Sequence, residues 1–493
     1  MTPATDRSVP ADPLLDLGPL TVRASPPPPL ELSIPHRLHV VGVGGPGMSA
    51  IAIALAEMGH NVSGSDLREH PVLERVRAAQ VSVNIGHNRA LVHGCDAVTA
   101  STAVPTRNVE LDEARKTGVD VLSRAGMLAS ICAQAKSLAV AGTHGKTTTT
   151  SMLMLILAQA AMRPSFVVGG DVTDVGTGAH WSRGEWLVVE ADESDGTHLE
   201  LPLYGTILTN IETDHLDHYG SFAAIVESFD QYLSQIRGPR VLCADDPITA
   251  ALAARHGAIT YGLSDNADIR AVDIHPTDGS FTFTIERSTG DGRVGRERLG
   301  EIALPLRGLH NVANATGAVA MALEIGVDFA DIAAALAKFG GVARRFDIRG
   351  SDGGATFVDD YAHLPSEISA VLAAARGSGD GWDRVIAVFQ PNRFNRIAEM
   401  WSEYHSAFTD ADIVVLTDVF ASGTTPIPGV TGKLIVNAVA EAHPDKRIVW
   451  LPKRVDLVSF VAAEARRGDV CISMGCGDIA SFPAEVLDAR RAS

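Results

Sequence analysis

From Arg37 onward, short β-branched apolar runs alternate with longer segments whose apolar residues recur at helical spacing. Residues 38–43 read as a strand ending in glycines, and Met48, Ile51, Leu55 and Met58 then mark a helix that stops at Gly59. A second such unit runs from a strand at 138–141, through a turn at 142–145, into a helix over 147–161. Apolar runs predict further strands at 186–189 and 205–211 and, past Gly340 and Gly341, at 355–358, 385–389, 413–416 and 470–473. Strands separated by amphipathic helices predict an α/β protein with parallel sheets. One stretch differs: over 271–304 the alternation of Phe281, Phe283 and Ile285 and the loop at 289–292 predict antiparallel hairpins inside the middle domain. Breaks near 135–137 and 339–342 divide the chain into three α/β domains, 36–136, 137–339 and 340–493. Residues 1–35, with prolines at 26–29, read as a flexible tail.

The chain has 493 residues, 46% apolar and 20% charged, the balance of an ordinary globular protein. Lys and Arg number 41 against 59 Asp and Glu, a net charge of -18, which argues against nucleic acid or an anionic membrane surface as partner. Small anions remain possible substrates where local positive sites hold them. No apolar run reaches the roughly 18 residues of a membrane span. The N-terminus has no basic start leading into an apolar block, so no secretion signal is read. Five scattered cysteines, Cys95, Cys132, Cys243, Cys471 and Cys476, form no CxxC pair and point to reduced thiols in a cytoplasmic protein. Cys471 and Cys476 read as buried thiols rather than metal ligands.

Gly42, Gly44 and Gly47 lie between a strand and a helix, with Asp66 closing the next strand, the layout of a diphosphate-binding turn. Glycines there admit a close approach of backbone to phosphate. The same pattern serves NAD(P) in oxidoreductases, and Gly45 and Pro46 leave that choice open.

Gly142, Thr143, His144, Gly145, Lys146, Thr147 and Thr148 form a second, lysine-bearing glycine loop. Its backbone N–H groups suit phosphate oxygens, Lys146 the β/γ oxygens of a triphosphate, and the Thr147 hydroxyl magnesium. It is a shortened variant, because Val140 stands where the longer pattern has glycine. The strand at 186–189 runs into Glu190-Ala191-Asp192-Glu193-Ser194-Asp195, carboxylates at a strand's carboxyl end where a nucleotide enzyme needs metal ligands. Glu190 is the candidate ligand; most of the other acids read as a solvated turn. His215, past the next strand, is a second candidate ligand.

Taken in order, G-T-H-G-K-T-T-T, E-A-D-E-S-D, N-I-E-x-D-H-L-D, H-N-x-x-N-A from His310, R-R-F from Arg344 and D-D-Y-A-H from Asp359 resemble the motifs of Mur ligases. The opening G-x-G-G-x-G-M-S, Gly42 to Ser49, is similar to that of the alanine-adding members, and the resemblance runs from about residue 37 almost to the C-terminus. It implies a Rossmann-like N-terminal domain for a UDP-sugar, a central P-loop ATPase α/β domain and a C-terminal Rossmann-like α/β domain. The implied reaction joins L-alanine to the carboxylate of UDP-N-acetylmuramate through an acyl phosphate, using ATP and Mg2+ (or Mn2+), in peptidoglycan precursor synthesis.

The resemblance also implies roles. Gly42, Gly44, Gly45, Gly47, Met48, Ser49 and Asp66 would hold the UDP-sugar, so the first loop takes UDP diphosphate. Residues 142–148, Asn311, Asn314, Arg345 and Asp360 would bind ATP. Thr147, Glu190 and His215 would hold metal, and Lys146, Glu190, His215 and Arg345 would be catalytic. His363, Arg393 and Arg396 would grip the amino acid. No lysine occurs between Lys146 and Lys338, so the carbamylated lysine that several relatives use is absent from the central domain.

The chain departs from the usual pattern at Leu364, Asn392, Phe394 and Asn395, around the incoming amino acid, and at Gly126, where an acid is common. The alternatives are therefore a related ligase acting on another amino acid or carboxylate, and an NAD(P)-dependent oxidoreductase, which leaves the lysine loop unexplained.

Overall fold

The computed structural model describes residues 28–101, 103–289, 295–377, 379 and 381–492. Residues 1–27 of the expected tail and 290–292 of the expected hairpin loop lie outside the described residues. Of residues 28–35, read with that tail, two lie against the N-terminal domain: Leu32 is buried, and the Leu30 N–H donates to Ser130 Oγ at 2.9 Å.

Three sheets carry the α/β architecture. The first contains β1 (Arg37–Val41), β2 (Asn61–Asp66), β3 (Ser82–Ile85), β4 (Ala97–Ala100) and β5 (Asp120–Ser123) in the order β3-β2-β1-β4-β5. All its neighbours are parallel, the doubly wound arrangement expected of a Rossmann-like domain. Burial of Leu38, His39, Val40 and Val41 in β1 explains its near-continuous apolar run.

The second sheet contains β6 (Lys136–Ala141), β7 (Ser165–Val172), β8 (Thr177–His180), β9 (Trp186–Glu190), β10 (Gly205–Leu208), β11 (Arg240–Cys243), β12 (Ile259–Gly262), β13 (Ile269–Thr277), β14 (Ser280–Ser288) and β15 (Arg296–Leu304). Its order is β15-β14-β13-β12-β11-β10-β6-β9-β7-β8. β6 therefore lies between β9 and β10, parallel to both, and the loops leaving all three emerge at one edge. The helix Lys146–Gln159 follows β6 and buries Met152, Leu153, Met154, Ile156 and Leu157, each worth roughly 1.5–3 kcal/mol when fully removed from water. β10 ends at Leu208, short of the predicted 211. Thr209 and Asn210 instead turn their polar groups onto the neighbouring loop, with Thr209 Oγ1 donating to His144 O at 2.6 Å.

The third sheet contains β16 (Asp347–Asp352), β17 (Ala355–Asp360), β18 (Arg384–Phe389), β19 (Ile413–Leu416), β20 (Arg447–Trp450) and β21 (Asp469–Met474), ordered β16-β17-β21-β18-β19-β20. β16 is antiparallel to β17 and the other pairings are parallel.

The chain divides into two compact units. One holds the described residues up to Asp273 with Phe283–Ile302 and Ala313–Phe339, and so includes the first sheet and most of the second. The other holds Ile274–Thr282, Ala303–Val312 and the described residues from Gly340. The stretch expected to form hairpins inside the middle domain is thus shared between the units. Among the described residues no helix is long and apolar enough to cross a membrane.

Candidate active site

The first glycine loop is braced from β2. Ser65 O accepts the N–H groups of Gly42 and Val43 at 2.8 and 3.0 Å, and Asp66 Oδ2 accepts the Gly44 N–H at 2.8 Å. Gly42 has φ +78°, and a Cβ on Gly44 would sit 2.7 Å from Asp66 Oδ2, so both positions require glycine. Gly45 then caps the helix Pro46–Glu57, whose first turn contains no acidic residue, which keeps its positive end available to an anion. Gly47 lies in that turn, Ser49 donates its N–H to Gly45 O at 2.8 Å, and Met48 and Ser49 are buried. Asp66, expected to meet the UDP-sugar, has one oxygen engaged by the loop itself.

Below the loop, Ser65 Oγ donates to Glu110 Oε2 at 2.6 Å, and Glu110 Oε1 accepts the Asn88 N–H at 2.9 Å. Burial works against the Glu110 charge, but hydrogen bonds from His39, Ser65 and Asn88 outweigh it and its pKa is lowered. No spacing in the sequence marks Glu110.

The second loop is shaped by close approaches. Gly142 has φ +121°, and a Cβ there would collide with Thr209 Oγ1 and lie 2.8 Å from Asn210 O. Thr143 and His144 donate their N–H groups to Asn210 O at 3.0 Å and Asn210 Oδ1 at 2.8 Å. The Glu212 N–H donates to Thr143 Oγ1 at 2.9 Å, and Glu212 Oε2 lies 3.2 Å from His144 Nε2. Gly145, φ +81°, leaves room for Asn314, whose Oδ1 would be 2.5 Å from a Cβ at that position. Asn314 thus lies against the lysine-bearing glycine loop. Thr147 and the buried Thr148 begin the helix that follows, and Thr147 O accepts Ser151 Oγ–H at 2.7 Å.

Lys146 is turned inward. Its Nζ donates to Gly142 O at 2.5 Å, to Thr143 O at 3.2 Å and to Glu193 Oε1 and Oε2 at 3.0 and 2.8 Å. Burial works against the ammonium, but Glu193 and Asp192 outweigh it, so its pKa is raised and it stays charged. Glu193 is only 4% exposed, which corrects the expectation that this acid belongs to a solvated turn. Asp192 is likewise not free: it and Asp195 accept Arg124 Nη2, each at 2.9 Å. Arg124 opens the helix Arg124–Cys132 after β5, and its Nη1 would lie 3.5 Å from a Cβ on Gly47. One guanidinium therefore packs beside Gly47 while it bonds the acids near the second loop. Arg124, Glu193 and Asn210 were missed as site residues. The acidic run and N-I-E-x-D-H were the only hints, and neither says which residue turns inward.

Glu190 ends β9 opposite Val140 of β6, and its Oε1 accepts the Gly169 N–H at 2.7 Å. His215 begins a short helix after β10 at φ +54°, its Nε2 3.1 Å from Asp214 Oδ2. Among the described residues no three His, Cys, Asp or Glu side chains converge on one metal position. Of the expected ligands, Thr147 lies in the first turn of the helix Lys146–Gln159, Glu190 at the end of β9 with one oxygen on Gly169, and His215 at the start of the short helix beside Asp214.

In the second unit, Arg344 Nε donates to Asp359 Oδ2 at 2.9 Å and its Nη2 to Gly475 O at 2.7 Å. Arg345 lies over the Tyr361 ring at 5.1 Å. Asp360 Oδ2 accepts the Phe346 N–H and Oδ1 the Ala362 N–H, both at 2.7 Å, so this acid shapes the R-R-F turn. Burial pushes the Asp360 carboxyl up to about 6 against the pull of Arg345. Asn311 Nδ2 donates to Arg307 O at 2.7 Å. His363 Nδ1 lies 3.1 Å from both Tyr361 O and Glu367 Oε2. Leu364 is buried, with its N–H on Glu367 Oε2 at 3.0 Å. Arg393 and Arg396 flank the start of the helix Phe394–Met400, and Arg396 is buried. Cys471 is buried in β21 and Cys476 follows that strand, half-buried; neither joins a group that could hold a metal. Gly126 donates its N–H to Ser123 Oγ, the cap of its helix, at 2.9 Å.

Two glycine loops, each between a parallel strand and a helix on successive sheets, one carrying a lysine and flanked by carboxylates, define a nucleotide-dependent enzyme of the three-domain α/β type. The chain belongs to the Mur ligase family: residues 37–136 match the Mur ligase family catalytic domain, 140–322 the Mur ligase middle domain and 344–477 the Mur ligase glutamate ligase domain. Among curated proteins it is similar to the UDP-N-acetylmuramate--L-alanine ligase of Acidothermus cellulolyticus, 43% identical over 471 residues, 94% of this chain and 97% of that one. The same enzyme of Nitrobacter winogradskyi is 42% identical over 450 residues, 90% of this chain and 96% of that one. Among solved structures, the UDP-N-acetylmuramate-alanine ligase MurC of Thermotoga maritima aligns with a TM-score of 0.78 at 27% identity, covering 93% of this chain and 99% of that one. The murein peptide ligase Mpl of Psychrobacter arcticus aligns with a TM-score of 0.67 at 26% identity, covering 92% and 98%.

Proposed function

We propose that this chain is an ATP-dependent, amide-bond-forming ligase that joins L-alanine to the carboxylate of UDP-N-acetylmuramate in peptidoglycan precursor synthesis. The observation that carries the reading is identity above 40% across nearly the whole length of enzymes so named. In support, Arg124 packs beside Gly47 of the diphosphate loop and holds Asp192 and Asp195, in the acidic run next to the lysine loop.

A carboxylate resists an amine because its oxygen leaves poorly, so the γ-phosphoryl of ATP is first transferred to it. The amine then attacks the acyl phosphate and phosphate departs from the tetrahedral intermediate. In this reading residues 142–148, Asn311, Asn314, Arg345 and Asp360 bind ATP, and Lys146 and Arg345 stabilise the charge that shifts during transfer. Thr147, Glu190 and His215 hold a divalent metal, Mg2+ or Mn2+, which neutralises phosphate charge when bound. Gly42, Gly44, Gly45, Gly47, Met48, Ser49 and Asp66 form the UDP-sugar site, and His363, Arg393 and Arg396 the amino-acid site. The working boundaries are 36–136, 137–339 and 340–493, and the location is the cytoplasm.

The test is a coupled phosphate-release assay with ATP, UDP-N-acetylmuramate and single amino acids. Release that depends on L-alanine supports the proposal. Strong preference for another amino acid favours the related-ligase alternative, which Leu364, Asn392, Phe394 and Asn395 keep in play. No amino-acid-dependent release overturns both.

A further inference from the structure

The turn leaving β18 places two polar side chains in the interior of the second unit. Asn392 is 2% exposed and Arg396 7%. A guanidinium at that depth needs acceptors for its N–H groups. Asn392 Oδ1 accepts Arg396 Nη1 at 3.0 Å, one helical turn away.

Asn392 is itself fixed by backbone. It forms a parallel bridge with Phe420, the Phe420 N–H donates to Pro391 O at 2.8 Å, and the Arg393 N–H donates to Phe420 O at 2.9 Å. Arg393 turns the chain at φ +62°, and the Phe394 N–H then reaches Thr424 Oγ1 at 2.9 Å. Positive charge gathers here: Arg396, Arg393 and Arg344 all act on the Cys476 thiol, whose pKa burial nevertheless raises. Asp359 meets Arg344, whereas Arg393 makes no ion pair among the described residues. Asn392 brings no charge of its own, so it aims Arg396 without cancelling the positive field that an incoming carboxylate needs. Its amide oxygen offers an acceptor at every pH.

We propose that Asn392 is a positioning residue that sets Arg396 for the carboxylate of the incoming amino acid. This deepens the ligase reading and rests on it, through the assignment of Arg393 and Arg396 to the amino-acid site.

The experiment compares wild type, Asn392→Leu, Asn392→Asp, Arg396→Lys and the Leu/Lys double variant, with KM for L-alanine, ATP and UDP-N-acetylmuramate measured separately. Asn392→Leu removes the acceptor at similar volume and should raise the L-alanine KM roughly 10- to 100-fold, the worth of a hydrogen bond to a charged group, with the other two KM values unchanged. Asn392→Asp keeps the oxygen but adds a negative charge beside Arg396, so it should also raise the L-alanine KM by cancelling the positive field; an unchanged value in this variant would count against the proposal. Because Asn392 acts through Arg396, the double variant should be no worse than the more impaired single variant. An unchanged L-alanine KM in Asn392→Leu, equal movement of all three KM values, or additive effects in the double variant would overturn the proposal. If Asn392→Leu shows no cooperative melting, Asn392→Ala takes its place with the same criteria. Wild type without L-alanine-dependent phosphate release would instead overturn the ligase reading beneath it.

Discussion

Glu193→Gln separates two demands on Lys146. In the structure the ammonium is held by both Glu193 oxygens, at 3.0 and 2.8 Å, and by the Gly142 and Thr143 carbonyls. The two side chains are 16% and 5% exposed, so solvent screens the pair little. A triphosphate that recruits Lys146 must draw it off Glu193. Glutamine keeps the shape and one acceptor but removes the charge. Breaking a buried pair costs about 3–5 kcal/mol; here the loop carbonyls and Asp192 remain, so a loss of roughly 1–3 kcal/mol in the ligand-free protein is expected. The nucleotide gains what the folded protein loses. Removing a competitor worth about 1.5–3 kcal/mol should lower the Kd for Mg-ATP roughly 10- to 100-fold. Calorimetric titration with Mg-ATP and thermal melting with and without it measure both terms: the variant should melt lower when empty and show the larger ATP-induced rise in Tm. An unchanged or weakened ATP affinity would refute the claim that Glu193 competes with phosphate for this lysine.

Lys146→Ala should abolish ATP-dependent ligation while UDP-sugar binding, measured by titration, stays nearly intact; equal loss of both would contradict the division of work between the glycine loops. His198, fully buried with Nε2 2.7 Å from Ser228 Oγ and its ring against Phe229, is held neutral by burial, its pKa lowered to about 3 from 6.5. Between those values the unfolded chain binds the extra proton, so the histidine's contribution is complete above pH 6.5 and declines as pH falls, by at most about 1.4 kcal/mol per pH unit. Burial pushes the Glu193 and Asp360 carboxyls up, to about 7 and about 6, so their contributions grow as pH falls, and comparing wild type with His198→Phe cancels that opposite trend. The stability difference should slope with pH below 6.5, and a flat difference would sink the argument.

Much of the architecture was legible in the sequence because it is written in local periodicity. β19 was read at its observed bounds and most of the other strands that were placed individually to within two residues at each end, since a strand buried on both faces is a continuous apolar run and a helix on a sheet repeats every three to four residues; β3, β4, β5, β7, β8, β11, β12, β16 and β20 were not placed. The glycine loops were legible for a related reason: Gly42, Gly142 and Gly145 adopt positive φ, and at Gly142 a Cβ would strike Asn210 besides. The sheet edges were harder to read. Residues 271–304 alternate as strands should, yet alternation says nothing about which compact unit a strand joins.

Charged residues mark the limit most clearly. Glu190, Asp192, Glu193 and Asp195 lie within six positions, and the chain alone does not rank them. The fold does: the end of β9 directs Glu190 to the Gly169 N–H, Asp192 and Asp195 to Arg124, and Glu193 to Lys146. Glu110 was silent for the same reason, because its partners Ser65 and Asn88 are far away in sequence; Asn392 stood out only as a departure from the usual pattern, and its hold on Arg396 depends on a turn bridged to Phe420. Hydrophobic pattern and glycine placement act on neighbours along the chain, so they can be read from it. The partner of a buried charge is chosen by tertiary contact, because burying it unpaired costs several kcal/mol and only the folded chain supplies the counter-charge.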